Sequence, residues 1–367
     1  MEEKLIYQIA ITLIEGIGNR SAKKLIAYCG GVEALFTEKD SILKKIKVPG
    51  IKIPLSNRIN DPTILKRAEK EVDFILKHDI TPLYYLDEAY PKRLKYCDDG
   101  PVMIFCKGKM CLNAEKTIAI VGTRKATEYG RAICKELVGS LAPQDPLIVS
   151  GLAYGIDICA HNTAVKNDLQ TVAVLGHGLD RIYPVQHKKI VIEMLTNGGV
   201  ITEFLSHTKP DRENFPQRNR IIAGMSDAIL VVESGIKGGS MITASIANSY
   251  NRDVFAIPGR VGDPHSAGCN FLIKSNRAVL VENAEEIEKE MNWERKQSLR
   301  SIQKSLFTEL SEDEKTIMKF IDINGKASID EIALRTEMTI STVSASLLEL
   351  EFKGMVRTQP GKLFERT

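Results

Sequence analysis

Five short segments offer glycines, cations or amides in patterns suited to holding phosphate. The first is Val121-Gly122-Thr123-Arg124-Lys125. A dinucleotide fingerprint would read GxGxxG with an acidic residue about 20 positions on. Here Arg124 occupies the stretch that a pyrophosphate needs bare, and no second glycine follows in register. NAD and FAD are therefore not expected, and Arg124 is expected to meet a phosphate in bidentate fashion unless an acidic neighbour pairs it. The second segment is Ser150-Gly151-Leu152-Ala153-Tyr154-Gly155-Ile156-Asp157. Gly151 and Gly155 permit close backbone approach, and Asp157 suits the start of a helix. His161, one turn further, has no second ligand at metal spacing and reads as a core-edge histidine. The third segment runs from Gly176-His177-Gly178-Leu179-Asp180 to Tyr183-Pro184-Val185-Gln186-His187-Lys188-Lys189. Three cations and no carboxylate fall between 181 and 189. Lysines that open a helix oppose its dipole unless an anion compensates, so Lys188 is read as a phosphate contact, the alternative being a solvated lysine.

The fourth segment, Asn214-Phe215-Pro216-Gln217-Arg218-Asn219-Arg220, offers two guanidinium planes and an amide, with Phe215 able to stack on a base or to anchor the core. The fifth, Ser234-Gly235-Ile236-Lys237-Gly238-Gly239-Ser240, is a glycine-rich turn able to cradle a phosphate. The features of catalysis are missing. The sequence has no G-x-S-x-G, no P-loop and no cluster at metal-ligand spacing. A binding protein without a catalytic centre, metal or cofactor is the expectation.

The elements that must position these segments are legible from 117 to 285. Short β-branched runs recur at 117–121, 147–149, 171–175, 200–202, 228–232, 254–257 and 278–281, with helix-like stretches between most of them. Continuous apolar strands alternating with helices imply a parallel sheet covered on both faces, with its ligand crevice outside the carboxyl ends of the strands. Residues 1–80 read as a helical domain. Its run Gly16-Ile17-Gly18-Asn19-Arg20-Ser21-Ala22-Lys23-Lys24 suits a helix-hairpin-helix (SAM-like) phosphate clamp or an ordinary interhelical loop. After a sheet domain over 81–290 and a charged linker over 291–310 that begins near the sole Trp293, residues 311–367 read as three helices and a hairpin around Gln359-Pro360-Gly361, a winged helix. The helix expected to read DNA, 341–350, carries no Lys or Arg, although Arg357, Lys362 and Arg366 on the wing could touch phosphate. A protein-interaction or auxiliary backbone-binding role is preferred there over sequence-specific repression.

Composition sets outer bounds. The 367 residues carry 50 Lys plus Arg against 47 Asp plus Glu, a net charge of +3, so a cationic surface must come from local clustering. Seven cysteines lie scattered without a CxxC pair, which fits reduced thiols rather than a disulfide scaffold or zinc site. The apolar stretch 5–14 is too short and too polar for a signal peptide or a membrane span, and a cytoplasmic protein is expected.

Taken in order, these segments resemble the DNA-processing protein A (DprA/Smf) family over roughly residues 80–285. The blocks that carry the resemblance include Tyr90-Pro91-Lys92-Arg93-Leu94, the Arg124 turn, Ser150 to Asp157, Phe215 to Gly224, Gly239-Ser240-Met241-Ile242-Thr243 and Asp253 to Gly259. The resemblance implies an α/β, Rossmann-like parallel core and a dimeric, non-catalytic protein that binds single-stranded DNA. It further implies protection of incoming DNA in natural transformation and loading of the RecA recombinase. By that resemblance Arg124 and Lys188 contact the strand. The dimer contacts fall after Gly268-Cys269, at Asn270, Ile273 and Val279, where the sequence departs from the family at Asn270. Two rivals stand beside it. A nucleotide phosphoribohydrolase of the related Rossmann group would carry G-G-x-G-T-x-x-E, but here the turn continues Ser240-Met241-Ile242-Thr243-Ala244-Ser245-Ile246-Ala247 without the glutamate. A transcription factor would instead work through the winged helix.

Overall fold

The computed structural model describes residues 2–37, 59, 61–293, 310–359 and 363–366. Lys362, the tip residues Pro360 and Gly361, and most of the expected linker lie outside the described residues. The chain forms two compact units, Met1–Arg295 and Lys296–Thr367.

The first unit is built on a sheet of nine strands among the described residues: β1 (Thr81–Tyr84), β2 (Met103–Lys107), β3 (Thr117–Val121), β4 (Leu147–Ser150), β5 (Thr171–Val174), β6 (Gly198–Thr202), β7 (Ala228–Val231), β8 (Asp253–Ala256) and β9 (Val279–Leu280). Their spatial order is β1-β2-β6-β5-β4-β3-β7-β8-β9. All seven strands read from the sequence are present and run parallel. The two not anticipated, β1 and β2, extend the sheet antiparallel beyond β6. Period-2 geometry sends alternate side chains to opposite faces: Ala119 and Val121 join one core, Ile118 and Ile120 the other. The helices Asn214–Met225 and Gly239–Ser249 cover the first face, while Glu128–Ser140 and Ile156–Lys166 cover the second. From β3 the chain winds outward through β4, β5 and β6, then returns to place β7 on the other flank of β3. The gap between the ends of β3 and β7 is therefore the topological switch point, where open α/β sheets bind ligands.

The helices before β1 are lining rather than a separate body. Ile9, Leu25, Leu35 and Val72 share one apolar core with Tyr84, Val102, Met103 and Phe105. The expected helix-hairpin-helix turn faces inward. Asn19 accepts a hydrogen bond from the Val102 N–H (2.9 Å) and donates to Glu203 (3.4 Å), Lys23 donates to the Cys97 carbonyl (3.4 Å), and Arg20 pairs with Asp98 (3.2 Å). Asn19, Lys23 and Arg20 are thus engaged within the protein, while Lys24 stays exposed and the helix that begins at Asn19 has no side-chain cap. Trp293 is likewise not a linker residue: it is buried in the second-face core with Ile287, beneath the Lys116 ammonium.

The second unit holds helices Glu312–Asn324, Ile329–Thr336 and Ile340–Phe352 against a small sheet ordered β10 (Lys326–Ser328), β12 (Leu363–Arg366), β11 (Val356–Gln359). Capping boxes at Ser311/Glu314 and Ser328/Glu331 start its first two helices, and Ile317, Ile321, Val343, Leu347 and Phe364 form its core. This is the winged-helix arrangement with one strand more than the sequence suggested. Two of the three expected wing cations, both exposed, form ion pairs, Arg357 with Glu365 (2.5 Å) and Arg366 with Asp322 (2.7 Å), and Lys362 lies outside the described residues. No helix among the described residues is long and apolar enough to cross a membrane.

Candidate nucleic-acid interface

A cleft of about 670 Å³ opens at the switch point. The turn after β3 supplies Gly122, Thr123 and Arg124, the turn after β7 supplies Lys237 to Ser240, and Asp157, Arg218 and Asn219 form its floor. The turn after β3 is tightly held: the Thr123 N–H donates to the Glu233 carbonyl (2.7 Å), and the Thr123 carbonyl accepts from the Ile156 N–H (3.2 Å). Gly155 makes this possible. Its φ is +83°, and a methyl group there would lie 2.1 Å from the Thr123 carbonyl oxygen. The glycines at the strand ends thus let chain segments approach one another rather than a ligand: Gly122 is closed over by Ile156, Gly151 by Asp157 and Arg218, Gly178 by Leu205, and Gly238 by Ser234. Gly239 alone of the expected set faces open space.

Three helices begin on the cleft, at Gly155, Glu213 and Gly238, and none has a side-chain cap. Their first turns leave amide donors of the kind that favour an anion, although the Ile156 N–H is already spent on the Thr123 carbonyl. The helix immediately after Arg124 is closed by contrast. The Thr127 hydroxyl accepts from the Gly130 N–H, and the buried Glu233 carboxylate accepts from the Thr127 N–H and hydroxyl at 2.9 and 2.7 Å. A phosphate near this turn therefore meets the Arg124 side chain, not that helix.

Arg124 is exposed, has no ion-pair partner among the described residues, and lies 5.3 Å over the Phe215 ring. Phe215 also sits 6.4 Å from Tyr183. These groups wall a smaller apolar recess, which Tyr154, Leu175 and Pro184 help to line. Beside it, Tyr154 hydrogen-bonds Gln186 (2.8 Å) and contacts the His187 ring, and Lys188 follows as an exposed residue without an ion-pair partner among the described residues. Neither Arg124 nor Lys188 thus has an ion-pair partner among the described residues, and the recess is lined both by Arg124 and by Tyr183 and Pro184, which lead to Lys188. The sequence reading did not include the cleft cations Arg212 and Lys237 or the aromatics Tyr154 and Tyr183 among the site residues. Their signal was the same strand-end position that marked Arg124.

The floor is charged and buried. The Asp157 carboxyl is pushed up to about 6 by burial, partly offset by Arg218, and burial lowers the Arg218 guanidinium to about 10 against the opposing pull of Asp157. Arg218 also donates to the Val174 carbonyl. His161 lies beneath, fully buried between the Thr171 hydroxyl (2.7 Å) and the Gly151 carbonyl (2.6 Å), with burial driving it down to about 4. It is the core histidine the sequence suggested.

Several expected contact residues have side chains engaged within the chain. Arg220 turns away from the cleft to pair with buried Glu203 and to donate to the Asp99 carbonyl. Arg218 belongs to the floor, already engaged by Asp157 and Val174. The Ser240 hydroxyl donates to Ser234 (2.7 Å), and Asn219 reaches the Gly239 carbonyl (3.5 Å) while still lining the cleft. On the far edge, Asn270 bonds both the N–H and the carbonyl of Gly259 at 3.1 and 2.9 Å, so its amide is spent inside the chain. Ile273 is half-buried, and Val279 stands exposed on the edge strand β9.

A doubly wound sheet with an arginine-lined cleft at its switch point defines a Rossmann-like α/β protein. Residues 81–292 match the family described as DNA recombination-mediator protein A, and residues 307–362 match the DprA winged helix domain. The chain is similar to Protein Smf of Escherichia coli K12, 34% identical over 314 residues that cover 81% of this chain and 83% of that protein. It is 32% identical over 282 residues to DNA processing protein DprA of Streptococcus pneumoniae R6, covering 77% of this chain and 96% of that one. The X-ray structure of DNA processing protein A from S. pneumoniae superposes with a TM-score of 0.64 at 30% identity, covering 78% of this chain and 97% of that one. A Helicobacter pylori structure, described as showing the single-stranded DNA binding mode of DNA processing protein A, gives a TM-score of 0.53 at 29% identity over 58% of this chain and 95% of that one. The chain belongs to the DprA/Smf family.

Proposed function

We propose that this protein holds single-stranded DNA by its phosphates along the switch-point cleft and the adjoining aromatic recess, without cleaving it. The observation that carries this is Arg124: exposed, unpaired among the described residues and laid on Phe215 at the mouth of an uncapped cleft. Cations track the backbone, while Phe215, Tyr154 and Tyr183 offer stacking faces that every base can use. The H. pylori relative, whose structure is described as a single-stranded DNA binding mode, supports the same use of the fold. In this proposal the protein works in the cytoplasm, protects incoming DNA during natural transformation and hands it to the RecA recombinase. It does so as a homodimer that uses the exposed edge at Val279 and Leu280. A gel shift comparing single- and double-stranded oligonucleotides across a salt series tests the binding. Equal affinity for both at every salt concentration would sink it. Co-elution with RecA on a strand, and light scattering of a Val279→Asp variant, test the partner and the dimer.

Asp157 favours a second reading. A buried carboxyl held near neutrality in a cleft suits general acid chemistry, as a phosphoribohydrolase-like enzyme would need. Incubation with nucleoside monophosphates decides it, since release of free base would replace the binding proposal.

A further inference from the structure

The cleft contains one group that works against its purpose. Asp157 Oδ2 and the Arg218 guanidinium nitrogens all lie under 3 Å from the point where a Gly151 methyl would sit, which puts the pair within about 5 Å of each other. Its carboxylate also accepts the Ala153 N–H (3.3 Å), one of the few amides on this rim already answered by a side chain. The groups that face it are Arg218 from the helix Asn214–Met225, Arg124 from the turn after β3 and Ser150 from the end of β4. Cys134 lies within its field on the neighbouring helix, and His161 follows one turn on along its own helix. A site built only to attract phosphate would leave Arg218 and these amides free.

Without Asp157, two arginines and three uncapped helix ends would form a general anion trap, occupied by any small phosphate in the cell. A fixed negative charge at the floor changes the selection. It repels an anion in proportion to that anion's charge, so a dianion placed there meets about twice the repulsion of a monoanion. The internal phosphates of a polynucleotide are diesters with one charge each, whereas free nucleotides and inorganic phosphate carry about 1.5 to 2 near neutral pH. We propose that Asp157 is a charge filter, setting the cleft to accept the singly charged diester phosphates of a strand and to refuse doubly charged free phosphates. The filter has meaning only if the cleft holds a polynucleotide, as proposed above.

The test uses two ions that share a tetrahedral sulfate centre and differ in charge, sulfate and methyl sulfate, as competitors of a labelled oligothymidylate at matched ionic strength. Neither changes its charge between pH 5 and pH 8. The wild-type protein is expected to yield the strand to methyl sulfate at least as readily as to sulfate at pH 8. In Asp157→Asn, competition by sulfate relative to methyl sulfate is expected to rise about tenfold. An unchanged ratio overturns the filter. Should Asp157→Asn fail to fold by circular dichroism, the wild type decides instead. Its sulfate-to-methyl-sulfate ratio should climb about tenfold from pH 8 to pH 5 as the carboxyl takes up its proton, and a flat ratio overturns the proposal. If the wild type binds no oligonucleotide, the polynucleotide assignment itself has failed. The stabilisation of the protein by each ion against heat then gives the same ratio directly.

Discussion

Replacing Arg124 with alanine is the sharpest perturbation available. Four cations of the candidate interface, Arg124, Lys188, Arg212 and Lys237, are exposed and have no ion-pair partner among the described residues. If each meets one phosphate, the binding constant for single strands should fall with salt at a logarithmic slope near 2.8, about 0.7 per contact. Raising salt from 50 to 200 mM would then weaken binding roughly 50-fold. Arg124→Ala removes one contact, lowers the slope to about 2.1 and reduces that loss to roughly 18-fold. At fixed low salt the variant also forfeits a charge-assisted bidentate bond of about 1.5–3 kcal/mol, roughly ten- to a hundredfold in affinity. Arg124 forms no ion pair with a carboxylate among the described residues, and Asp157 keeps Arg218 as its stronger cationic neighbour, so the fold should be little affected. Arg124→Lys should restore the slope while recovering only part of the affinity, because an ammonium cannot bind in bidentate fashion. Fluorescence anisotropy of labelled oligothymidylate and oligoadenylate over the salt series reads all three effects, which should be alike for both sequences. An Arg124→Ala slope equal to that of the wild type would refute the assignment.

Three further outcomes follow from the same geometry. Arg220→Ala should cost about 3–5 kcal/mol of stability in urea unfolding, because it leaves Glu203 buried without its guanidinium; a loss below 1 kcal/mol would show that pair to be dispensable. Gly155→Ala should lose at least about 1–3 kcal/mol from its left-handed backbone alone and should weaken strand binding by pushing the Thr123 carbonyl and Arg124 aside; normal binding by a stable variant would count against the tight turn. His161 contributes stability in full above its unfolded pKa of 6.5 and loses it as the pH falls toward about 4, a loss of about 2 kcal/mol by pH 5. Asp157 runs the other way: its folded carboxyl, raised from 3.8 to about 6, returns stability as the pH falls below 6. Wild-type stability should therefore change little between pH 7 and pH 5 on account of these two groups. Asp157→Asn should reveal the His161 loss, and a pH-flat variant would contradict the burial of His161.

Much of the sheet was legible because buried parallel strands announce themselves as unbroken β-branched runs, as at 117–121 and 228–232. β1 escaped because Thr81–Tyr84 is a four-residue edge strand containing Pro82, and β2 because an antiparallel extension has no crossover helix to mark it. The position of the site was legible too, from residues that end strands. Which cations are free within it was not. Arg124, Arg218 and Arg220 are the same residue type in similar surroundings. Their fates are set by Phe215, Asp157 and Glu203, partners between 17 and 91 positions away or on another element, and no local pattern encodes such pairings. The glycines misled for a related reason: a residue without a side chain looks the same whether a ligand or the next helix needs the space.

The inward-facing hairpin at Gly18-Asn19 has a consequence for how such chains can be cut and recombined. Its helices cover Val102, Met103 and Phe105 and answer Glu203 through Asn19. A fragment begun at β1 would bare a greasy flank and leave a carboxylate short of one partner, so it should clump in solution however intact its switch-point cleft. Any natural sequence that dispenses with this segment must furnish another roof over β2, and swapping front ends between relatives will succeed only when roof and floor travel together.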